Sequence, residues 1–388
     1  MKFINSVTVV VFALLLSCQP KSSEQLQNEI DSIANRWVPD KRVGICELNL
    51  FKRVGEEMVL KGESLFPEAK TEILQLLLSK GITVIDSVVI LPDSIKIPKN
   101  WGVVTLSVAN LRSKPTHSAE LVSQAIMGTP VRVLKEDDVW LFVQTPDLYL
   151  AWTNESSVQL MSRSEINQWR NSERLIFTES YGTVYSDSRQ TNVLSDLVAG
   201  AIVIKKSENK NVFEVNLPDG RLGFISNLNW LNFKQWKDSV SLIDENMINT
   251  GKHLLGFPYM WGGTSSKAMD CSGFVKTVCF LNGIVLERDA SQQIKHGKEI
   301  DITSGWEKLQ KGDLLFFGSK RTHRVVHVGI YIGNGEVIHS SGSVRINSLD
   351  KNSDNYSNYL SSTLLGARRI IGFTPEQGYL PLRLHSWY

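Results

Sequence analysis

The sequence predicts a multidomain α+β protein, and three observations carry this prediction. The 388 residues, 42% apolar and 21% charged, are enough for two to four domains of ordinary soluble composition. Short strand-like runs in the middle of the chain recur after 72 residues, as Gly128 and Gly200 illustrate. The last third mixes helical and strand patterns around a cysteine that begins a helix. We therefore expect a small β-β-α-β unit, two small β-barrels and an α+β domain, in that order.

The N-terminus reads as a lipoprotein signal at residues 1–17. Lys2 precedes an apolar run that is too short to span a bilayer but suits a signal-peptide core. The sequence Leu15-Leu16-Ser17-Cys18 resembles a bacterial lipobox, in which Cys18 becomes the lipid-bearing terminus. The alternative is a plain secretory signal in which this cysteine is incidental. We expect an exported lipoprotein anchored to a membrane, in the periplasm or at the cell surface, with a polar tether at 18–40.

Residues 41–97 read as a unit of their own. The runs VGICELNLF, EEMVLKGESLF and ITVIDSVVIL indicate strands, and PEAKTEILQLLLSKG before the third indicates a helix that starts near Pro67. We see no catalytic constellation here and expect a structural or docking module in which Cys46 packs into the core.

The internal repeat predicts two barrels of similar fold, at about 100–163 and 170–235. Each copy contains three short β-rich runs separated by turns. The first copy has TPVRVL, WLFVQT and YLAWT, and the second has AIVIKK, VFEVNL and LGFIS. The matched positions are Gly128, Pro146, Asp147, Leu150 and Trp152 in one copy and Gly200, Pro218, Asp219, Leu222 and Phe224 in the other.

Residues 238–388 contain a nucleophile and a base. Cys271 precedes an apolar pattern with helical spacing, so it lies at the positive end of a helix macrodipole, which favours the thiolate. The hairpin HVGIYIGNGEVIH carries His327 and His339. A thiol, a histidine base and a second polar residue that orients the base form a complete nucleophilic apparatus. Cys279, two helical turns beyond Cys271, is expected in the core. The domain is therefore predicted to be a cysteine hydrolase.

The register of the hairpin decides whether the two histidines can act together. A two-residue turn at Asn334-Gly335 would put His327 and His339 on opposite faces of the sheet. A three-residue loop, Gly333-Asn334-Gly335, pairs His339 with Gly329 and puts both histidines on one face. We predict the second register.

Five segments together resemble the NlpC-type, papain-like peptidases of bacterial cell walls. They are PYMWGG, DCSGF, RDASQQ, GDLLFF and HVGIYIGNGEVIHSSG. Upstream, VANLRSKPTHSAELVSQAIMGTPVRVL resembles the first SH3-like domain of a narrower group, the γ-D-glutamyl-L-diamino acid endopeptidases. The resemblance implies that both barrels are SH3-like and that the last domain is papain-like.

The resemblance also implies roles for individual residues. It makes Cys271 the nucleophile, His327 the base and His339 the orienting residue. Glu120 and Tyr149 of the first SH3-like domain match positions that close the cleft and bind the free α-amine of the substrate. The remaining substrate-side positions are Tyr259, Trp261, Asp270, Ser272, Asp289 and Ser291. Several relatives carry serine where this chain has Ala290, and Ser272 could instead cap the helix.

The predicted function is cleavage of the bond between γ-D-glutamate and a diamino acid in peptidoglycan-derived peptides, releasing L-Ala-D-Glu. The alternatives are a general hydrolase or amidase of the intact wall, a wall-binding SH3-like module without activity, and another thiol reaction on a lipid or peptide. A thiolate nucleophile implies no metal or organic cofactor. A formal net charge of +2 without a Lys/Arg run argues against nucleic acid as a partner. We expect a monomer.

Overall fold

The computed structural model describes residues 23–52, 57–303 and 305–388. The predicted signal peptide and Cys18 lie outside these residues. The described chain forms two compact units, the first from residues 23–39 and 45–90 and the second from residues 40–44 and 91–388. None of the described helices combines the length and hydropathy that a bilayer span needs.

The first unit is a three-stranded sheet with two helices. Its elements are α1 (Ser23–Trp37), β1 (Cys46–Lys52), β2 (Met58–Ser64), α2 (Pro67–Ser79) and β3 (Val84–Ile90). The strand order is β1-β2-β3, with the first pair antiparallel and the second pair parallel, which confirms the β-β-α-β pattern. The interpretation of 18–40 as a tether is wrong for α1, because Leu26, Ile30 and Ala34 recur at helical spacing and are buried.

Two seven-stranded antiparallel sheets form the middle of the second unit. The first contains β4 (Trp101–Val104), β5 (Val108–Arg112), β6 (Leu121–Ile126), β7 (Pro130–Asp137), β8 (Trp140–Gln144), β9 (Leu150–Asn154) and β10 (Val158–Met161). A 3-10 helix (Glu155–Ser157) lies within it, and α3 (Arg163–Asn171) follows it. The second contains β11 (Arg174–Phe177), β12 (Tyr181–Tyr185), β13 (Val193–Val198), β14 (Ile202–Asn209), β15 (Val212–Asn216), β16 (Leu222–Ser226) and β17 (Trp230–Asn232).

The strand orders confirm the internal repeat. The first sheet has the order β10-β4-β7-β8-β9-β5-β6, and the second has the order β17-β11-β14-β15-β16-β12-β13, so each strand has a counterpart seven strands later. Among the described residues, no ladder joins the edge strands β10 and β6, or β17 and β13. Both sheets are therefore open at one seam.

The last part of the second unit packs helices on a six-stranded antiparallel sheet. The elements before this sheet are α4 (Phe233–Ser239), α5 (Asp244–His253), β18 (Thr264–Ser265), β19 (Ala268–Met269), α6 (Cys271–Leu281), β20 (Ile284–Leu286) and α7 (Ala290–Gln293). Those that follow are β21 (Lys298–Ile300), β22 (Leu314–Ser319), β23 (Arg324–Gly333), β24 (Glu336–Ser341), β25 (Ser343–Ser348), α8 (Asn358–Thr363), β26 (Leu364–Arg369), β27 (Tyr379–Pro381) and a 3-10 helix (Leu382–Leu384). The sheet order is β21-β26-β22-β23-β24-β25.

The core of this part forms between α6 and the central strands. Phe274, Val275 and Val278 of α6 are fully buried, and they belong to one apolar cluster with Val328 and Ile330 of β23. Helical spacing on α6 and alternation on β23 explain why these residues meet. Burial on this scale fixes the helix that begins at Cys271 against the strand that carries His327.

Candidate active site

Cys271 is the first residue of α6, and a buried polar network holds the turn before it. Asp270 caps the helix by accepting a hydrogen bond from the Gly273 N–H at 2.7 Å. Arg288 donates to both Asp270 oxygens, at 3.0 and 2.5 Å, and to Ser272 Oγ at 2.9 Å. The second Asp270 oxygen also accepts from the Gly262 N–H at 2.9 Å. Asp270 and Ser272, which are predicted to contact the substrate, thus both bind Arg288, and Asp270 also caps the helix.

The thiol and the nearby imidazole are both neutral at pH 7. Burial raises the pKa of the Cys271 thiol to about 11, although N–H groups of Val328 and Ser272 donate to the sulfur and oppose the rise. Burial, together with the adjacent His339, lowers the pKa of His327 to about 3. The helix N-terminus predicts a lowered pKa for this thiol, and desolvation outweighs that effect. The proton must therefore move from sulfur to imidazole during attack.

The hairpin between β23 and β24 has a different turn from the predicted one, but both histidines still lie on one face of the sheet. Gly333 pairs with Glu336, so the turn has two residues, Asn334 and Gly335, with φ of 52° and 76° as a type I′ turn requires. The predicted three-residue loop is therefore wrong. However, Ile332 bulges between Tyr331 and Gly333, and the extra residue restores the phase of the strand. His327 and His339 consequently lie on the same face of the sheet.

A chain of three hydrogen bonds fixes the tautomer of each histidine. Asn347 Nδ2 donates to the Asn355 carbonyl at 3.0 Å, so its Oδ1 is the atom that faces His339 Nε2 at 3.0 Å. His339 Nε2 must therefore carry its proton, which leaves Nδ1 as an acceptor. That Nδ1 lies 2.8 Å from His327 Nε2, which in turn must donate. The lone pair on His327 Nδ1 then remains for the thiol proton, as a general base requires.

The sulfur opens into a cleft of about 590 Å³ that the first seven-stranded sheet helps to line. Glu120 and Tyr149 come from that sheet's domain, and both line the cleft. Trp261 Nε1 donates to Glu120 Oε1 at 2.7 Å, and the Tyr149 hydroxyl donates to Asp289 Oδ2 at 3.4 Å. Burial and the Asp289 charge raise the pKa of Tyr149, so the hydroxyl stays protonated. Two carboxylates, Glu120 and Asp289, and the Tyr149 phenol therefore line the same cleft.

Arg42 is a cleft residue that sequence reasoning missed. Its backbone carbonyl accepts from Leu150 N at 2.8 Å, which fixes segment 40–44 beside the first sheet. Its guanidinium pairs with Asp40 and donates to Asp289 Oδ2 at 2.7 Å and Ser291 Oγ at 2.9 Å. The predicted residues Asp289 and Ser291 are thus bound to a cation from a distant part of the chain. No local motif around Arg42 signals this.

Tyr259 lies near the sulfur without lining the cleft. Burial and the adjacent Cys271 raise the pKa of its half-buried hydroxyl to about 12. Ala290 is buried. The described residues contain no group of three or more His, Cys, Asp or Glu side chains placed to hold a metal. Their free cysteines are Cys46, Cys271 and Cys279, all buried, and the last is in the core as predicted.

A helix that begins with cysteine, packed on an antiparallel sheet with a paired histidine, defines the class of papain-like hydrolases. Residues 256–369 match the model of the NlpC/P60 family, and residues 111–158 match that of the bacterial dipeptidyl-peptidase Sh3 domain. The chain belongs to the NlpC/P60 family of peptidases.

Relatives and a solved structure agree with this assignment. The chain is 30% identical to "Dipeptidyl-peptidase 6" of Lysinibacillus sphaericus over 68% of its own length and 97% of the relative. It is also 30% identical to "Gamma-D-glutamyl-L-lysine dipeptidyl-peptidase" of Bacillus cereus, over 59% of this chain and 70% of the relative. The crystal structure of an NlpC/P60 family protein from Bacillus cereus is 26% identical, with a TM-score of 0.59, and the match covers 70% of this chain and 99% of that one.

Proposed function

We propose that this protein is a cysteine endopeptidase that hydrolyses the bond between γ-D-glutamate and a diamino acid in peptidoglycan-derived peptides. Its substrates have a free N-terminal L-Ala, and the first product is L-Ala-D-Glu. The observation that carries the proposal is the meeting of Glu120 and Tyr149 with Trp261 and Asp289 in the cleft that contains Cys271. Two relatives are named for dipeptidyl-peptidase activity, one on a γ-D-glutamyl bond.

The chemistry follows from the hydrogen-bond chain. His327 Nδ1 takes the thiol proton as the sulfur of Cys271 attacks the γ-carbonyl carbon, and the C–S bond forms as the carbonyl π electrons move to oxygen. The helix N-terminal N–H of Cys271 and the Tyr259 hydroxyl would stabilise this oxyanion. His327 then donates its proton to the nitrogen of the diamino acid, and the C–N bond breaks. Water, deprotonated by the same histidine, hydrolyses the thioester and restores the thiol.

Selectivity for a free N-terminus would come from the Glu120 carboxylate in the cleft. Glu120 Oε1 accepts from Trp261, and its second oxygen is left for a substrate ammonium. An N-acylated peptide, such as a stem still attached to glycan, lacks this ammonium and adds bulk where the first sheet's domain closes the cleft. Binding of such a peptide would leave the Glu120 carboxylate without a counter-charge. This distinguishes the proposed activity from a general hydrolase of the intact wall.

We also propose that Cys18 carries a lipid that anchors the exported protein to a membrane. The support is the apolar run and lipobox-like sequence before it. Labelling of Cys18 by a radioactive fatty acid in cells, with Cys18→Ser as the unlabelled control, tests this proposal. Retention of the label in the variant would contradict it.

The activity is tested with a tripeptide of L-Ala, γ-D-Glu and a diamino acid, and with the same peptide acetylated at its N-terminus. We expect mass spectrometry to show L-Ala-D-Glu from the free peptide with the wild type and no release with Cys271→Ala. Equal cleavage of both peptides would overturn the free-amine specificity. Release by the Cys271→Ala variant would overturn the mechanism.

A further inference from the structure

The cleft contains three arginine side chains, and two of them are paired with carboxylates. Arg42 pairs with Asp40 and with Asp289, and Arg288 pairs with Asp270. Arg324 also lines the cleft and is exposed, and it makes no side-chain hydrogen bond or ion pair within residues 23–52, 57–303 and 305–388. Its guanidinium is therefore available to a ligand.

Arg324 belongs to a basic loop at the edge of the cleft. The turn between β22 and β23 has the sequence Lys320-Arg321-Thr322-His323, and Arg324 begins β23. All five residues are exposed, and His323 lines the cleft beside Arg324. Glu120 lines the same cleft with its carboxylate. The cleft therefore offers both a carboxylate and the Arg324 guanidinium to a ligand.

The position of the proton donor decides which part of a substrate meets the basic loop. In the proposed reaction His327 protonates the leaving nitrogen, so the leaving diamino acid must lie beside β23. Arg324 precedes His327 by three residues, which is roughly 10 Å along a strand. An arginine side chain can cover much of that distance. The dipeptide that stays on the sulfur is, in the same proposal, the part that Glu120 and Tyr149 bind.

We propose that Arg324, with the loop that ends at it, forms a subsite for a carboxylate on the leaving diamino acid. It favours a diamino acid whose side chain carries a second carboxylate, of the 2,6-diaminopimelate kind, over lysine. This inference rests on the proposed function and deepens it. The diaminopimelate side chain brings one more negative charge to the basic loop than lysine does. Both side chains carry an ammonium group that the loop repels, and in diaminopimelate the added carboxylate offsets that charge.

The preference is measured with two tripeptides that differ only in the last residue, L-Ala-γ-D-Glu-meso-diaminopimelate and L-Ala-γ-D-Glu-L-Lys. For the wild type we expect kcat/KM to be about fivefold higher with the first, the scale of one exposed charge pair. The ratio should fall as salt concentration rises, because screening weakens exposed charge interactions. Arg324→Gln should bring the ratio close to one, and Arg324→Lys should keep most of it.

Lys210→Gln is the matched control, because it removes an exposed cation from the β14–β15 turn in the second seven-stranded sheet. It should leave the ratio unchanged. Thermal unfolding of each variant checks that the fold is retained. Equal rates on both peptides, a preference for lysine, or an unchanged ratio in Arg324→Gln would overturn the subsite alone. Failure of the wild type to cleave either peptide would overturn the proposed function as well.

Discussion

Arg288 and Asp270 form a two-bond ion pair immediately before the helix that begins with Cys271, and both side chains are almost fully buried. Asp270 is the N-cap of α6, and Arg288 directly precedes the cleft residue Asp289. The ion pair therefore links the helix that begins with Cys271 to one wall of the cleft. The segment RDASQQ indicates a functional aspartate by its resemblance, whereas no sequence signal marks the arginine before it.

Loss of Arg288 should therefore destabilise the fold. Arg288→Met leaves the Asp270 carboxylate buried without its counter-charge, which costs about 3–5 kcal/mol. Urea unfolding of the variant against the wild type measures this difference. Arg221→Met, which removes an exposed arginine paired with Asp219, is the control and should cost less than about 1 kcal/mol. Similar losses in both variants would contradict the structural role of Arg288.

Asn347 should affect the rate through the tautomer of the histidine pair. Asn347→Leu keeps the shape but removes the acceptor for His339 Nε2–H, so we expect kcat to fall about 10-fold to 100-fold with little change in KM. Asn347→Asp keeps an acceptor oxygen and should retain more activity than the leucine variant. Steady-state kinetics across pH 5 to 9 provide the measurement. Full activity of Asn347→Leu would show that the hydrogen-bond chain from Asn347 to His327 does not contribute to catalysis.

The two buried cysteines of α6 should respond differently to substitution. Cys271→Ala should abolish hydrolysis and leave the fold intact. Cys279→Ala should cost about 1 kcal/mol of stability, since it removes a fully buried sulfur from the core, and it should keep appreciable activity. Activity assays and thermal unfolding on both variants make the comparison. Equal loss of activity in two folded variants would refute the assignment of the nucleophile.

The lowered pKa of His327 should appear in the pH dependence of stability. The unfolded histidine titrates near 6.5, whereas burial lowers the folded value to about 3. Between these values the unfolded state binds more protons, so stability falls as pH falls from about 6.5 to about 3, by at most about 1.4 kcal/mol per pH unit for one group. His327→Gln should show a shallower slope in urea unfolding at pH 7, 6, 5 and 4. Identical slopes would argue against a buried neutral imidazole.

Glu120 should control the binding of free N-termini. Glu120→Gln removes the charge attraction for the substrate ammonium, and we expect about a tenfold loss in kcat/KM for a free tripeptide, which is roughly 1.4 kcal/mol. Glu136→Gln, an exposed carboxylate in the same domain that does not line the cleft, is the control. If the two variants cleave equally well, Glu120 does not bind the ammonium. Tyr149→Ala should raise the relative rate on N-acetylated peptide by opening the wall.

Local patterns in the sequence predicted more of the fold than of the cleft. Helical spacing located α6, and alternation located β23, because both signals arise from neighbours along the chain. The bulge at Ile332 could not be predicted, because it depends on how β23 fits against β24. It shortens the turn from the predicted three residues to two. Arg42 lies 247 residues from the Asp289 that it contacts, and only the folded chain path brings them together. The helix at Ser23–Trp37 was missed because its polar residues outnumber its apolar stripe.

The identical strand orders of the two seven-stranded sheets have an evolutionary consequence. The positions that follow Glu120 and Tyr149 by one repeat are Asn192 and Arg221, so the second copy lacks the acid and the phenol. Of the two copies in the described part of the chain, the first contributes residues to the cleft and the second contributes none. Because part of the cleft wall lies in a different module from the nucleophile, substitutions in that module can alter which substrates fit without altering the catalytic residues.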